Sequence, residues 1–398
     1  MKVIVNVVYN YHQYCKIHIY PHINEKMYSC WLNEDLDTQL LSHKIKGSEE
    51  FHILANDRLN ELFSNPWVNE IRFISQTRSE DEGVKVSKSH FDPDTLKKIK
   101  NEESFVITIN REEQSYLDLL RKVANLEPKP SRAGLARSST LEILRFSLMR
   151  LNMRVIPMLT TKSLSLTSIW EELKMFILGE TNTKRLRDKK IPIWDINTSR
   201  PHLDDVGLDY PEGTLGPVYG FQWRHFGADW TKSSSKTSGI DQLKNVINDL
   251  RYDPYSRRHV VVAWNPIDLN DMVLHPCHYA FQFVVTEDHK LDCVFNMRSA
   301  DLALGVPYNL VSYALLTHLI SLEIGFTPGE LICVMTNCHV YESHLDGVAL
   351  QLDRNPQAFP CVKFNNFDKY KSIDDVDKLE LQLLGYKPDS FIKLKMNN

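Results

Sequence analysis

The feature that most limits the fold is a nearly unbroken apolar run, "YNLVSYALLTHLISLEIGF", at residues 308–326. Length alone allows a membrane span or a helix buried on every side. His318, Glu323 and several hydroxyl side chains interrupt the run, so a buried helix is expected and a membrane span is not. The chain can supply the surrounding core: of its 398 residues, 42% are hydrophobic and 25% charged, an ordinary globular composition. A net charge of −4 leaves no global basic field for a nucleic-acid backbone, so any anion site must be local. Seven thinly spread cysteines do not form a disulfide framework and fit a reducing compartment. The first residues, "MKVIVNVVYNYHQYCKIHIY", lack the succession of a signal peptide, and a cytoplasmic protein is expected.

A boundary is expected near residue 110. Residues 1–110 carry short β-like runs ("VIVNVVY", "EIRFIS", "SFVITI") separated by charged or helical pieces such as "NDRLNELFS", a small α/β pattern without a catalytic motif. Residues 111–398 open on an amphipathic helix, pass through the loop "EPKPSRAGLARSST", and then alternate helices with strands. The segment "TKSSSKTSG" at 231–239 reads as a polar surface loop.

One stretch poses the chemical question. In "VLHPCHYAFQFVV", residues 273–285, Cys277 lies between His275 and His278 just ahead of a strand. It could be a metal ligand, an inert buried thiol or a nucleophile. Structural zinc sites use paired ligands with a second pair downstream, and no second pair appears. Taken alone, a buried thiol is the default for a free cysteine. The neighbouring blocks argue for more: "DPYSRRHVVVAWNP" at 253–266, "NMRSADLALGVPYN" at 296–309 and "NCHVYESHLD" at 337–346 gather arginine, serine, aspartate, asparagine, histidine and tyrosine.

With these blocks the chain resembles the thymidylate synthase family over roughly residues 112–398, through "MLTTK", "EELKMFILGETN", "IPIWDIN", "LGPVYGFQWRHFGADW", "GIDQL", "RRHVVVAWNP", "HPCH", "RSADLALGVPYN", "HVYESH" and "LLGYKP" in order. The resemblance implies an α/β (α+β) fold with a large mixed sheet at a homodimer interface. It also implies one-carbon transfer from 5,10-methylenetetrahydrofolate to C5 of dUMP, with no metal, no nucleic acid and no membrane involved. Cys277 is then the nucleophile that adds to C6 of uracil, with Arg298 beside it favouring the thiolate. Arg298 and Ser299 match phosphate ligands within one subunit, and Arg257 with Arg258 match a pair reaching across from the partner. A further phosphate arginine is expected in "SRAGLARSSTL", which departs from the usual Arg-Thr-Gly-Thr-Gly-Thr run; Arg137 is taken for it, with Arg132 as the alternative.

The resemblance carries further roles. Asn309 matches the base reader and favours uracil over cytosine, although an asparagine there could instead cap the following helix. His339 and Tyr341 match ligands of the deoxyribose 3′-hydroxyl. Glu172 matches the buried glutamate that manages proton transfers, with Glu171 beside it expected to be a solvated charge. Trp194, Asn197, Asp301, Leu304 and Tyr308 match folate positions, and Tyr219 another active-site tyrosine.

Departures from the family pattern shape the expected product. Asn296 and Met297 stand where Tyr-Gln is usual, His275 replaces a proline, Thr336 and Asn337 replace Gly-Asp, and Asn397 and Asn398 replace an apolar Ala-Val terminus. A polar terminus closes the folate pocket poorly against water. The expected reaction is therefore water capture giving 5-hydroxymethyl-dUMP, as in a phage-type hydroxymethylase, with dTMP synthesis as the alternative. A catalytically dead binding protein is the third reading, against which the intact Cys277, Arg298, Asn309 and Glu172 argue. The stretch "FHILANDRLNELFSNPWVNEIRFI" faintly resembles the C-terminal half of dihydrofolate reductase, and the N-terminal extension is expected to be non-catalytic.

Overall fold

The computed structural model describes residues 110–398 apart from 151–152, 233–237 and 397–398, and before residue 110 the backbone of five strands. The expected helix around "NDRLNELFS" lies outside the described residues. Contacts divide the chain into two units, Met1–Arg111 and Glu112–Asn398. In the first, β1 (Lys2–Asn10), β2 (Tyr14–Ile23), β3 (Lys26–Met27), β4 (Val68–Ser75) and β5 (Phe105–Thr108) form one sheet in the order β3-β2-β1-β4-β5. Only β1 and β4 pair in parallel.

The second unit is built on a seven-stranded mixed sheet. Its strands are β6 (Lys129–Ser131), β7 (Gly134–Ser147), β10 (Val260–Val262), β11 (His278–Val285), β12 (Lys290–Met297), β13 (Ala300–Asp301) and β14 (Thr327–Tyr341), in the order β10-β11-β12-β14-β7-β6 with β13 beside β14. A separate hairpin joins β8 (Met149–Arg150) to β9 (Met153–Arg154). Around the sheet lie α1 (Arg111–Ala124), α2 (Leu166–Ile177), α3 (Lys184–Asp188), α4 (Arg200–Asp205), α5 (Tyr219–His225), α6 (Gln242–Tyr252), α7 (Gly305–Ile324) and α8 (Leu345–Leu352).

The apolar run forms α7, the crossover between the parallel strands β12 and β14. Its side chains are buried around nearly the whole circumference, from Val306 to Ser321. Several polar residues within it find partners: His318 Nε2 bonds to the Val155 carbonyl at 2.9 Å, and burial holds its pKa down to about 3, so the ring is neutral. Glu323, near the end, pairs with Arg251 at 2.7 Å and accepts the Tyr370 hydroxyl at 2.9 Å. Gly325, at φ 78°, ends the helix in the left-handed conformation that glycine adopts without strain. No helix among the described residues is long and apolar enough to cross a membrane.

Strand register gives the sheet two unlike faces. Leu144, Cys333, Phe295, Phe281 and Val261 pair in one row across five strands, and all are buried in the core. The adjacent row of Ile143, Val334, Asn296, Ala280 and Val262 points the other way and is half-buried or exposed. Asn296 therefore lies on the outer face of the sheet, and only Met297 of the departing pair turns toward the interior. Its alternation follows from the period of two in a strand.

Candidate active site

A cleft of about 1260 Å³ opens at the end of the sheet, and its walls gather most of the residues singled out by the sequence. Cys277 sits on its wall immediately before β11. The Cys277 amide donates to the Tyr219 hydroxyl at 2.9 Å, which ties the loop bearing the thiol to α5. Tyr219 starts that helix with φ +22°, and its ring stacks on His278 at 4.1 Å. The next residue is glycine because α5 crosses α2 closely: a Cβ on Gly220 would lie 2.6 Å from the Phe176 carbonyl oxygen.

Arg298 is clamped over the same loop. Its Nε and Nη2 donate to the carbonyls of Pro276 and His275 at 2.9 and 2.8 Å, and the guanidinium lies over the Trp264 ring at 5.4 Å. Burial pushes the Cys277 thiol up; Arg298 opposes that rise, Asp301 adds to it, and Arg132 opposes it more weakly. The sequence-based expectation of a cation favouring the thiolate is thus half of the balance, because in this pocket the loss of solvation outweighs the guanidinium. His275 packs edge-on against Trp264, and His278 Nδ1 meets the Tyr313 hydroxyl at 2.9 Å. Among the described residues no three His, Cys, Asp or Glu side chains are placed to hold a metal ion.

The adjacent glutamates of α2 have opposite surroundings. Glu172 faces the cleft, accepts the Trp194 indole N–H at 2.7 Å, and is raised by burial to about 7. Glu171 is not a solvated charge: it is 3% exposed and held ionised among Lys189 at 2.7 Å, Lys174 at 3.3 Å and Arg185 at 3.5 Å. These cations hold its carboxyl below the usual range despite its burial. One rotation step along the helix separates a proton-carrying carboxyl from a structural carboxylate.

Ser299, Asn309, His339, Tyr341, Asn197 and Asp301 also line the cleft. Asn309 lies inside α7 and caps nothing, since the cap position is Leu304. His339 Nδ1 bonds to Asn337 Oδ1 at 3.0 Å, and its ring meets Tyr341 edge-on at 5.0 Å. Asp301 Oδ1 accepts the amides of Ala303 and Leu304 at 3.0 and 3.1 Å, joining β13 to the start of α7. Leu304 and Tyr308 are not among the lining residues. Nor is Arg137, whose Nε pairs with Glu342 at 2.6 Å and whose Nη1 donates to the Ala124 carbonyl at 2.9 Å. Arg132, the alternative, does line the cleft. Arg257 and Arg258 stand away from it, exposed in the loop before β10.

Several residues at or near the cleft carry no part in the sequence expectations. Met396 lines it, His202 borders it with Nε2 on the Val273 carbonyl at 2.9 Å, and Trp264 supports Arg298 from outside the lining. Buried Lys162 donates to the Ala303 carbonyl near Asp301 and is held down to about 8 by burial. Trp264 and Lys162 fall inside the quoted motif blocks, whereas nothing local in the sequence marked His202.

The thymidylate synthase family model matches residues 114–398. The chain belongs to the thymidylate synthase family. Thymidylate synthase of Saccharomyces cerevisiae is 40% identical over 302 residues, which are 72% of this chain and 98% of that protein. A probable thymidylate synthase of Schizosaccharomyces pombe is 43% identical over 301 residues, 72% of this chain and 48% of that one. A bifunctional dihydrofolate reductase-thymidylate synthase of Paramecium tetraurelia is 38% identical over 340 residues, 84% of this chain and 70% of its own. The chain spans about half the length of several of the curated relatives it matches. In thymidylate synthase family terms, the cleft wall holds Cys277, Glu172, Tyr219 and Arg298 together, while the departures at Asn296 and Asn397–Asn398 fall on the outer sheet face and outside the described residues.

Two outcomes test these electrostatics. Removing the cation in Arg298→Ala should move the pH profile of Cys277 alkylation to higher pH; an unmoved profile would show that Arg298 does not act on the thiol. For Glu172, the neutral form is favoured in the folded protein. Its contribution to stability is therefore complete below the unfolded pKa near 4.5 and lost as pH rises through about 7. Glu172→Gln removes that loss, so its stability advantage over the parent should grow between pH 5 and pH 8 by up to about 3 kcal/mol in denaturation titrations.

Proposed function

We propose that this chain transfers the one-carbon unit of 5,10-methylenetetrahydrofolate to C5 of dUMP and yields dTMP with dihydrofolate. The observation that carries the reading is the convergence on one cleft of Cys277, the clamped Arg298 and a Glu172 poised to hold a proton at neutral pH. Cys277 Sγ adds to C6, and C5 becomes the nucleophile. Proton movements at the pyrimidine fall to Glu172, whose pKa near the working pH suits both donation and acceptance. Tyr219 holds the nucleophile's loop through the Cys277 amide.

Recognition divides along the cleft. Arg298, Ser299 and Arg132 take the phosphate, with Arg132 replacing Arg137 because the latter is already paired to Glu342. Asn309 reads the uracil edge, and His339 with Tyr341 take the 3′-hydroxyl. Trp194, Asn197 and Asp301 face the folate, whereas Leu304 and Tyr308, which do not line the cleft, are given no part in it. The folate supplies both the carbon and the hydride that completes the methyl group.

Methyl rather than hydroxymethyl is preferred on specific grounds. The case for water capture rests on Asn296, which sits on the outer sheet face, on Met297, whose apolar side chain lines the cleft, and on Asn397 and Asn398, which lie outside the described residues. Apolar Met396 lines the cleft directly ahead of them, and a match over 98% of its own length is to a protein named thymidylate synthase. Incubation with dUMP and methylenetetrahydrofolate should give dTMP and dihydrofolate in equal amounts. Tetrahydrofolate with 5-hydroxymethyl-dUMP would reverse the assignment.

The same reading makes the chain a homodimer through the outer sheet face, where Ile143, Val284 and Val260 are 52%, 42% and 40% exposed. Arg257 and Arg258 then reach the partner's phosphate site. The free cysteines fit a cytoplasmic setting, and the N-terminal unit is non-catalytic. Mixing Arg257→Ala, Arg258→Ala protein with Cys277→Ala protein should restore activity through mixed dimers; a fully active monomer in sedimentation would end this model.

A further inference from the structure

We infer that His344 is a positioning residue that latches the C-terminal segment beside the cleft by holding the carbonyl of Lys395. His344 is fully buried, and its Nε2 donates to the Lys395 carbonyl at 2.6 Å. The opposite ring nitrogen, Nδ1, lies 3.8 Å from Asp301 Oδ1, the same oxygen that accepts the Ala303 and Leu304 amides ahead of α7. Tyr341, a cleft residue, packs edge-on to the ring at 5.6 Å. One imidazole therefore spans the distance from the site to the tail, and the residue after the latched carbonyl is Met396, part of the cleft wall.

The rest of the segment is seated with equal care. Ile392 is buried, and Leu394 and Ile392 press against Gly347 in α8, where an added Cβ would lie 2.6 Å from Leu394 Cδ2. Exposed Lys393 and Lys395 alternate with these anchors. A carbonyl accepts only, so Nε2 carries the hydrogen and a neutral ring presents an acceptor toward Asp301. The buried hydrogen bond from Nε2 is the hold that His344 places on the tail. Its loss frees Met396 from the cleft.

The latch has a direct readout, because the bond that trypsin cuts after Lys395 contains the carbonyl His344 holds. His344→Phe keeps a ring in the pocket and removes the donor. Cleavage at Lys395 in the absence of ligands, followed by mass, should accelerate about tenfold, while cleavage at the exposed Arg257–Arg258 loop stays at the parent rate. A general loss of stability would speed both. Gly347→Ala provides the second variant: it strengthens α8 by helix propensity yet displaces Leu394, and should also accelerate cleavage at Lys395 selectively. In turnover, which rests on the function proposed above, both variants should raise the folate KM severalfold and leave the dUMP Kd unchanged. Unchanged cleavage in both variants, or faster cleavage with an unchanged folate KM, overturns the latch. Selective cleavage in a protein that never forms dTMP would instead sustain the latch and sink the proposed reaction.

Discussion

Burial of α7 beneath the seven-stranded sheet is the constraint from which the site follows. A helix that is apolar on nearly all sides must be enclosed, and here the parallel strands β12 and β14 that it connects supply the enclosing layer. Because the crossover starts just after β13, its first turn opens at the end of the sheet, and Asn309 meets the cleft from inside the helix. Asp301 locks that junction by accepting two amide hydrogens at the helix start. Strand register then aims Met297 inward and the next residues, Arg298 and Ser299, into the cleft. The apolar core sets the coordinates, and the polar residues at its rim inherit them.

Around that frame the site balances opposing electrostatic effects. Loss of solvation raises both Cys277 and Glu172. For the glutamate the effect brings the carboxyl to where it exchanges protons near neutrality. For the thiol it is a cost that Arg298 only partly offsets before substrate arrives. His278 behind them is held neutral, down to about 3, and so adds no competing positive charge.

Much of this was legible in the sequence, for reasons tied to particular residues. The apolar run at 308–326 could only be a buried helix, and the dense motif blocks identified the family with most of the cleft residues. What failed was information that depends on contacts distant in sequence. Arg132 and Arg137 are equally basic on paper; the decision rests on Glu342, 205 residues away from Arg137. Glu171 looked like a helix-surface charge because Lys189 and Arg185 fold back only in three dimensions. Asn296 is two residues from Arg298 in sequence, but β12 ends at Met297, and Arg298 is turned into the cleft by its bonds to the Pro276 and His275 carbonyls while Asn296 stays on the outer sheet face. His344 falls inside the block "HVYESH", but nothing there points to its partner, the carbonyl of Lys395, 51 residues downstream.

The paired glutamates of α2 also limit how this chain can vary in length. Each residue of a helix turns the next by about 100°, and that single step separates the ionised Glu171, ringed by cations, from the protonatable Glu172 against Trp194. A one-residue deletion between the Ser165 cap and this pair would carry Glu172 into the ring of cations and Leu173 to the cleft, and a one-residue insertion would carry Glu171 to the cleft and Trp170 among the cations. Substitutions can drift on the outer turns of α2, but its residue count is fixed by the chemistry on one side and the ion cluster on the other.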